Sequence, residues 1–219
     1  MKITKYPQSC VLIEYKDKRI LVDPGSYVYE QTDMKPEDFK DIDIVLLTHE
    51  HSDHTQPETL KIIVENNNPI IITNKPVHNI LDKEGIKSEI IESGQEKDID
   101  GIKIKGIAQK HGPLPSGNPE PDVIGFLIDD KIYHPGDTLY MEEKPYADVV
   151  FVPICGSVVM DGVEAAKFVK EIKPKLAIPI HYSSPKYPTT TDEFENQMSD
   201  SGIKIKILEN KGTIEVSED

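Results

Sequence analysis

An apolar run, a knot of metal-competent side chains and a helix start follow one another without a break in VLLTHEHSDHTQPETL, residues 45–60. Ile42 to Leu47, apolar apart from Asp43, suits a strand buried on both faces. His49, His51, Asp53 and His54 follow it within six residues. Thr55 heads a capping box with Glu58, which predicts a helix from Gln56 to about Asn66. His49 and His51 stand at strand spacing, so an extended backbone aims both imidazoles to one side. Asp53 and His54 fall where the chain turns and aim at a second point. Imidazole nitrogen with carboxylate oxygen suits zinc, and also manganese or iron. The alternative is a surface histidine run, and the buried strand directly upstream argues against it.

A catalytic ion takes about three protein ligands and keeps a position open. Four donors in one stretch do not serve two ions, so further ligands are expected at other strand ends. His111 follows a strand over Ile102 to Ala108, Asp137 sits in HPGDT after a hairpin strand, and His181 ends Leu176 to Ile180. Each alone could be a satisfied structural residue, as a lone histidine at a strand end usually is. Together they complete the set for two ions.

The rest of the chain alternates strands with single helices. Val11 to Tyr15 and Arg19 to Val22 read as strands joined at Lys16-Asp17-Lys18, with a stop at Asp23-Pro24-Gly25. Ser26 to Asp41 reads as a long loop with a short helix. Ile70 to Ile72 is a strand, and Val77 to Lys83 a helix closed by Gly85. Gly112 to Asp122, with four prolines, is a stiff surface loop. Val123 to Ile128 and Lys131 to His134 form a hairpin across Asp129-Asp130, and Val149 to Ile154 is a buried strand. Gly162 to Ile172 is an amphipathic helix with Val163, Ala166, Phe168, Val169 and Ile172 on one side. Thr190 to Met198 reads as helix, and Ile203 to Ile207 and Thr213 to Val216 as strands. No linker divides the chain, so residues 1–219 are expected to form a single domain of α+β class.

Composition narrows the function. The net charge of −14 and a single arginine, Arg19, argue against a nucleic-acid-binding face. The segment Met1 to Lys5 opens no signal-peptide apolar region, and no apolar run approaches the roughly 20 residues of a membrane helix. Cys10 and Cys155 are too few for a disulfide framework, so the expected location is cytoplasmic.

The motif HEHSDH at 49–54, with Asp23 in LVDPG, His111, GDT at 136–138 and PIHY at 179–182, resembles the metallo-β-lactamase superfamily. SCVLIE, HPGDT and KPKLAIPIHY look most like the small metal-dependent hydrolases related to L-ascorbate 6-phosphate lactonase. The resemblance covers nearly the whole chain and implies a four-layer αββα sandwich with two divalent metal ions at one edge of its sheets. Carried over, His49, His51 and His111 would hold one ion, Asp53, His54 and His181 the other, and Asp137 would bridge them. Asp23 would fix the ring of a ligand histidine from behind. Such a centre stays net positive despite its carboxylates, so it generates hydroxide near neutral pH and polarises a carbonyl or phosphoryl oxygen. The expected substrate is a small polar ester, lactone or phosphoester, including anionic ones, with Asp53 and Asp137 as the catalytic carboxylates.

Two other activities remain open on these residues, a nucleic-acid phosphodiesterase and an iron-dependent dioxygenase, as does a non-catalytic binding module on a relict site. Homo-oligomerisation is also left open. Some side chains read two ways. His134 is a support behind the ligands, a substrate contact or a structural histidine. Cys155, in PICGS, is a further ligand or a buried inert thiol. His78 reads as ordinary helix surface. Tyr27, Tyr29 and Tyr182 line a pocket or simply pack, and Lys110 and Lys186 greet an anion or are merely solvated. Specificity is expected in the loops Ser26–Asp41, Gly112–Asp122 and Ser183–Thr190.

Overall fold

Two hairpin turns without glycine introduce the architecture. Lys16-Asp17 and Asp129-Asp130 all take left-handed backbone, φ between 48° and 59°, the conformation that lets a tight hairpin turn follow the twist of its strands. The first joins β2 (Val11–Tyr15) to β3 (Lys18–Val22), and the second joins β9 (Asp122–Ile128) to β10 (Ile132–His134). Each hairpin belongs to a different seven-stranded sheet. The computed structural model describes residues 1–185 and 188–217, and its chain divides into two compact units, Met1–Ile91 with Leu208–Asp219, and Glu92–Ile207.

In the first unit the sheet runs β14 (Thr213–Glu215), β1 (Lys2–Lys5), β2, β3, β4 (Ile44–Leu47), β5 (Ile70–Thr73) and β6 (Glu89–Ile90). Pairing is antiparallel from β14 to β3 and parallel from β3 to β6. The parallel steps need crossovers, supplied by α1 (Ser26–Glu30) with a 3₁₀ turn at Pro36–Asp38, by α2 (Pro57–Asn67) and by α3 (Lys75–Lys83). One face of the sheet, with Leu12, Leu21, Val45, Leu47 and Ile71, packs against Val28, Leu60, Ile63, Val77 and Leu81 of these helices. Val11, Ile13, Ile20, Val22, Ile44, Leu46 and Ile72, on the opposite face, are as deeply buried. At about 1.5–3 kcal/mol per fully buried aliphatic side chain, these two faces are the main reason the strands form.

The second unit repeats the plan in the reverse strand order. Its sheet runs β13 (Lys204–Ile205), β12 (Leu176–Ile180), β11 (Val149–Pro153), β10, β9, β8 (Ile102–Lys110) and β7 (Glu96–Ile99). It is antiparallel from β7 to β10 and parallel from β10 to β13. Helices α4 (Gly162–Ile172) and α5 (Asp192–Met198) pack on it through Ala165, Ala166, Phe168, Val169, Ile172, Phe194 and Met198. An Asp161–Glu164 capping box starts α4.

The fold class is the expected one, two sheets with helices on each. Several local expectations are corrected. The strands β1, β6 and β7 were not anticipated, because charged residues break their short apolar pattern. Residues 203–207 alternate, yet only Lys204 and Ile205 pair. Val163 is 44% exposed, and Ala165 takes its place on the buried face of α4. Thr55 does not cap α2. Gln56 occupies the cap position and Pro57 the first turn, while the Thr55 hydroxyl donates to the His49 carbonyl at 2.8 Å. Asn74 caps α3, accepting from the Val77 N–H, and starts it two residues earlier than expected, at Lys75.

Candidate metal centre

Strand direction gathers the polar residues of the first unit. The strands β1, β3 and β4 point the same way, so Gln8, Asp23 and Thr48–His49 all emerge at one edge of the sheet. Ligand sites in parallel sheets form at this carboxyl edge. Asp23 leaves β3 in left-handed backbone, φ 47°, and is fully buried. Its Oδ1 accepts the Thr48 N–H at 2.8 Å, and its Oδ2 accepts the Thr48 hydroxyl at 2.7 Å.

The same Oδ2 lies 2.8 Å from His54 Nδ1, and Thr48 Oγ1 lies 3.0 Å from His49 Nδ1. Because the Thr48 proton is committed to Asp23, its oxygen accepts from His49. One carboxylate therefore places the proton on Nδ1 of both His49 and His54, directly in one case and through Thr48 in the other. The Nε2 lone pair of each ring is left as the donor to a metal. His51 presents Nδ1 3.1 Å from His49 Nε2, and the His49 and His54 ring centroids lie 4.0 Å apart, tilted by 46°.

The loop carrying His51 to His54 is seated on bare backbone. A Cβ on Gly25 would lie 2.0 Å from the carbonyl carbon of Asp53. The Ser26 N–H donates to the Ser52 carbonyl at 2.8 Å, and those of His54 and Thr55 donate to the His51 carbonyl. Asp53 Oδ2 stands 3.8 Å from His54 Nε2 and accepts from Gln8 Nε2 at 3.2 Å.

In the second unit β8, β10, β11 and β12 all run in one direction. They deliver His111, Asp137, Cys155 and His181 to one edge. His111 Nδ1 donates to the Gly112 carbonyl at 2.6 Å, which again leaves Nε2 as the donor. Gly112 is tied to Val158 by a 2.7 Å hydrogen bond and leaves no room for a Cβ, which would stand 2.6 Å from the Val158 oxygen. Asp137 is 1% exposed, and its Oδ2 lies 3.0 Å from His181 Nε2 and 3.7 Å from His111 Nε2. One carboxylate oxygen thus serves two imidazoles.

The electrostatics of this second cluster follow. Burial pulls the His181 imidazole down, but the Asp137 carboxylate, with Cys155, raises it well above its ordinary value. Burial pushes the Cys155 thiol up, yet the hydrogen bond and charge of His181 and the Ser157 N–H bring it below the usual range. Cys155 therefore touches a proposed ligand histidine. Cys10 in the first unit is buried, and burial raises its thiol well above the ordinary value.

His134 is fully buried against Phe151, and its Nδ1 accepts the Gly136 N–H at 3.2 Å. It props the turn that presents Asp137. His78 is half-buried and bonded to Ser88. Tyr29 and Tyr182 pack against the cores of their respective units, Tyr27 is half-buried and Lys110 is exposed. Lys186 lies outside the described residues. Sequence reading missed Thr48, Gln8, Gly25 and Gly112. Thr48 had one signal, a hydroxyl directly between a buried strand and the first histidine.

The donor set fits divalent metal ions. Four buried imidazoles, three of them held at Nδ1, and a buried carboxylate shared by two rings are the donors that zinc, manganese or iron accept. Among the described residues no helix is long and apolar enough to cross a membrane.

Comparison with known proteins agrees. The model of the beta-lactamase superfamily domain matches residues 2–181. A UPF0173 metal-dependent hydrolase of Thermoplasma acidophilum is 33% identical over 192 residues, 84% of either chain. Igni18, a metallo hydrolase of Ignicoccus hospitalis, superposes with a TM-score of 0.83 at 22% identity over 99% of both chains. The metallo-β-lactamase-fold protein YhfI of Bacillus subtilis does so with 0.72 at 16% identity over 97% of this chain and 98% of its own. The chain belongs to the metallo-β-lactamase superfamily, among its metal-dependent hydrolases.

Proposed function

We propose that residues 1–219 act as one catalytic domain with a dinuclear centre that hydrolyses a small polar ester, lactone or phosphoester. The observation that carries this reading is the preset Nε2 of His49, His54 and His111, together with Asp137 Oδ2 facing two imidazoles. On this reading His49, His51 and His111 would hold one ion, and Asp53, His54 and His181 the other. Asp137 would be the carboxylate shared by both ions, and zinc is the favoured ion, with manganese or iron as alternatives. When bound, such ions supply Lewis acidity and make a water acidic near neutral pH.

The protein's own groups divide the remaining work. Asp23 and Thr48 hold the ligand rings in place, and His134 holds the Asp137 turn. Asp53 keeps 23% of its side chain exposed where Asp137 keeps 2%. Asp53 is therefore the carboxylate suited to exchange protons with solvent and substrate. The net charge of −14, and Arg19 already engaged by Glu14 and the Lys40 carbonyl, favour a small molecule over a nucleic acid. A net positive centre accommodates an anionic substrate such as a phosphorylated lactone, in line with the likeness to L-ascorbate 6-phosphate lactonase. Two buried free cysteines suit a reducing cytoplasm.

The test is a panel of lactones, phosphodiesters, thioesters and acyl amides assayed with added zinc or manganese. Turnover of at least one class, abolished by a chelator and restored by metal, is expected. Hydrolysis indifferent to the chelator would contradict the proposal. Oxygen consumption with iron bound would turn it toward the dioxygenase.

A further inference from the structure

Among the described residues, thirteen non-glycine positions have positive φ, and only three of these are buried: Gln8, Asp23 and His181. The others sit at half-buried or exposed turns and helix ends, where left-handed backbone meets little resistance. Asp23 and His181 already belong to the metal centre. A buried side chain in strained backbone is a recurrent mark of a functional position, and Gln8 is the third such case.

Gln8 occupies the turn between β1 and β2, held by the Tyr6 N–H on the Cys10 carbonyl at 2.8 Å and the Cys10 N–H on the Pro7 carbonyl at 3.3 Å. Its φ is 58° and its exposure 1%. Glycine would take this conformation without penalty, so the residue present brings strain along with a side chain. That side chain spans to Asp53, where Nε2 donates to Oδ2 at 3.2 Å. Asp53 lies on a loop and is the more exposed of the two proposed catalytic carboxylates, so it needs an external hold.

We infer that Gln8 is a positioning residue that orients the Asp53 carboxylate toward its ion, with the strained turn as the cost of reaching it. This rests on the reading of Asp53 as a ligand. Outer partners of metal ligands typically contribute 10–100-fold in metal affinity.

The experiment titrates zinc against a competing chelator in the full-length protein and in Gln8→Asn and Gln8→Gly. Asn tolerates left-handed backbone but is one methylene short of Asp53; Gly removes the strain and the contact together. Both variants are expected to lose about 10–100-fold in affinity for one of two ions and to keep the other. The metal-free Gln8→Gly protein should melt at or above the wild-type temperature. Wild-type affinity at both sites in both variants would overturn the inference while leaving the dinuclear reading intact. A metal-free Gln8→Gly protein melting several degrees lower would also overturn it, by showing a merely structural role. A wild-type protein that binds no zinc would sink the dinuclear reading and this inference with it.

Discussion

In the first unit the metal-competent side chains follow a single strand, whereas in the second they arrive from three strand ends about 25 to 45 residues apart. The first unit surrounds its histidines with a local hydrogen-bond frame of Asp23, Thr48, Thr55 and the Ser26 backbone. The second has fewer such supports and relies on Asp137 as the common partner of His111 and His181. Loss of one of these side chains in the first unit leaves neighbours in place. Loss of Asp137 removes what two buried histidines share. Redundancy here follows sequence proximity.

Breaking the second cluster should therefore have the largest effect. Asp137→Ala is expected to abolish detectable hydrolysis and to weaken metal binding by more than about 100-fold, beyond the usual cost of losing an outer partner. His51→Ala should also abolish turnover while leaving the circular dichroism spectrum unchanged, since His51 is only half-buried. Elemental analysis should then show more metal retained in His51→Ala than in Asp137→Ala. Equal retention would remove the asymmetry.

Glycine seats give the next comparison. Gly25→Ala drives a Cβ to 2.0 Å from the Asp53 backbone, and Gly112→Ala to 2.6 Å from the Val158 oxygen. Both clashes are with backbone, so the chain must shift. Gly25→Ala should cost about 3 kcal/mol or more, read as a fall in melting temperature, with a smaller fall for Gly112→Ala.

A third difference is confined to the first unit. Lys5 is buried, and desolvation lowers its pKa from 10.5 to about 8 despite Cys10 and Glu209. The unfolded chain keeps this proton up to about pH 10.5 and the folded one loses it near 8. The penalty on the folded state is thus complete below pH 8 and relieved between 8 and 10.5, a gain on the order of 3 kcal/mol. Denaturant unfolding should show stability from this group rising over that window, and Lys5→Met should flatten the rise. A wild-type curve with no such component would contradict the assignment. The smallest effect is expected for Thr48→Val, which removes the relay from Asp23 to His49 and should weaken metal binding about 10-fold, with Thr48→Ser restoring it.

Legibility followed the same division. The strand Ile44–Leu47, the histidine cluster and the strand ends that carry His111, Asp137 and His181 are legible because each pairs an apolar run with an abrupt polar stop. Thr55 was misread because its hydroxyl had two possible partners, a helix N–H or the His49 carbonyl, and tertiary structure chose the second. Gln8 gave no signal at all. Its proposed role depends on β1 pointing the same way as β3 and β4 and on a contact with a residue 45 positions away. Val163 fits the helical stripe by spacing, yet the packing of α4 turned Ala165 inward instead.

The proposed dinuclear function requires these donors to hold two ions. Metal stoichiometry settles it most directly, by titrating the metal-free protein with zinc and counting bound ions by elemental analysis after removal of the excess. Close to two per chain are expected, with turnover appearing as the second site fills. A protein that binds at most one ion, or that hydrolyses its best substrate equally well with none, would contradict it.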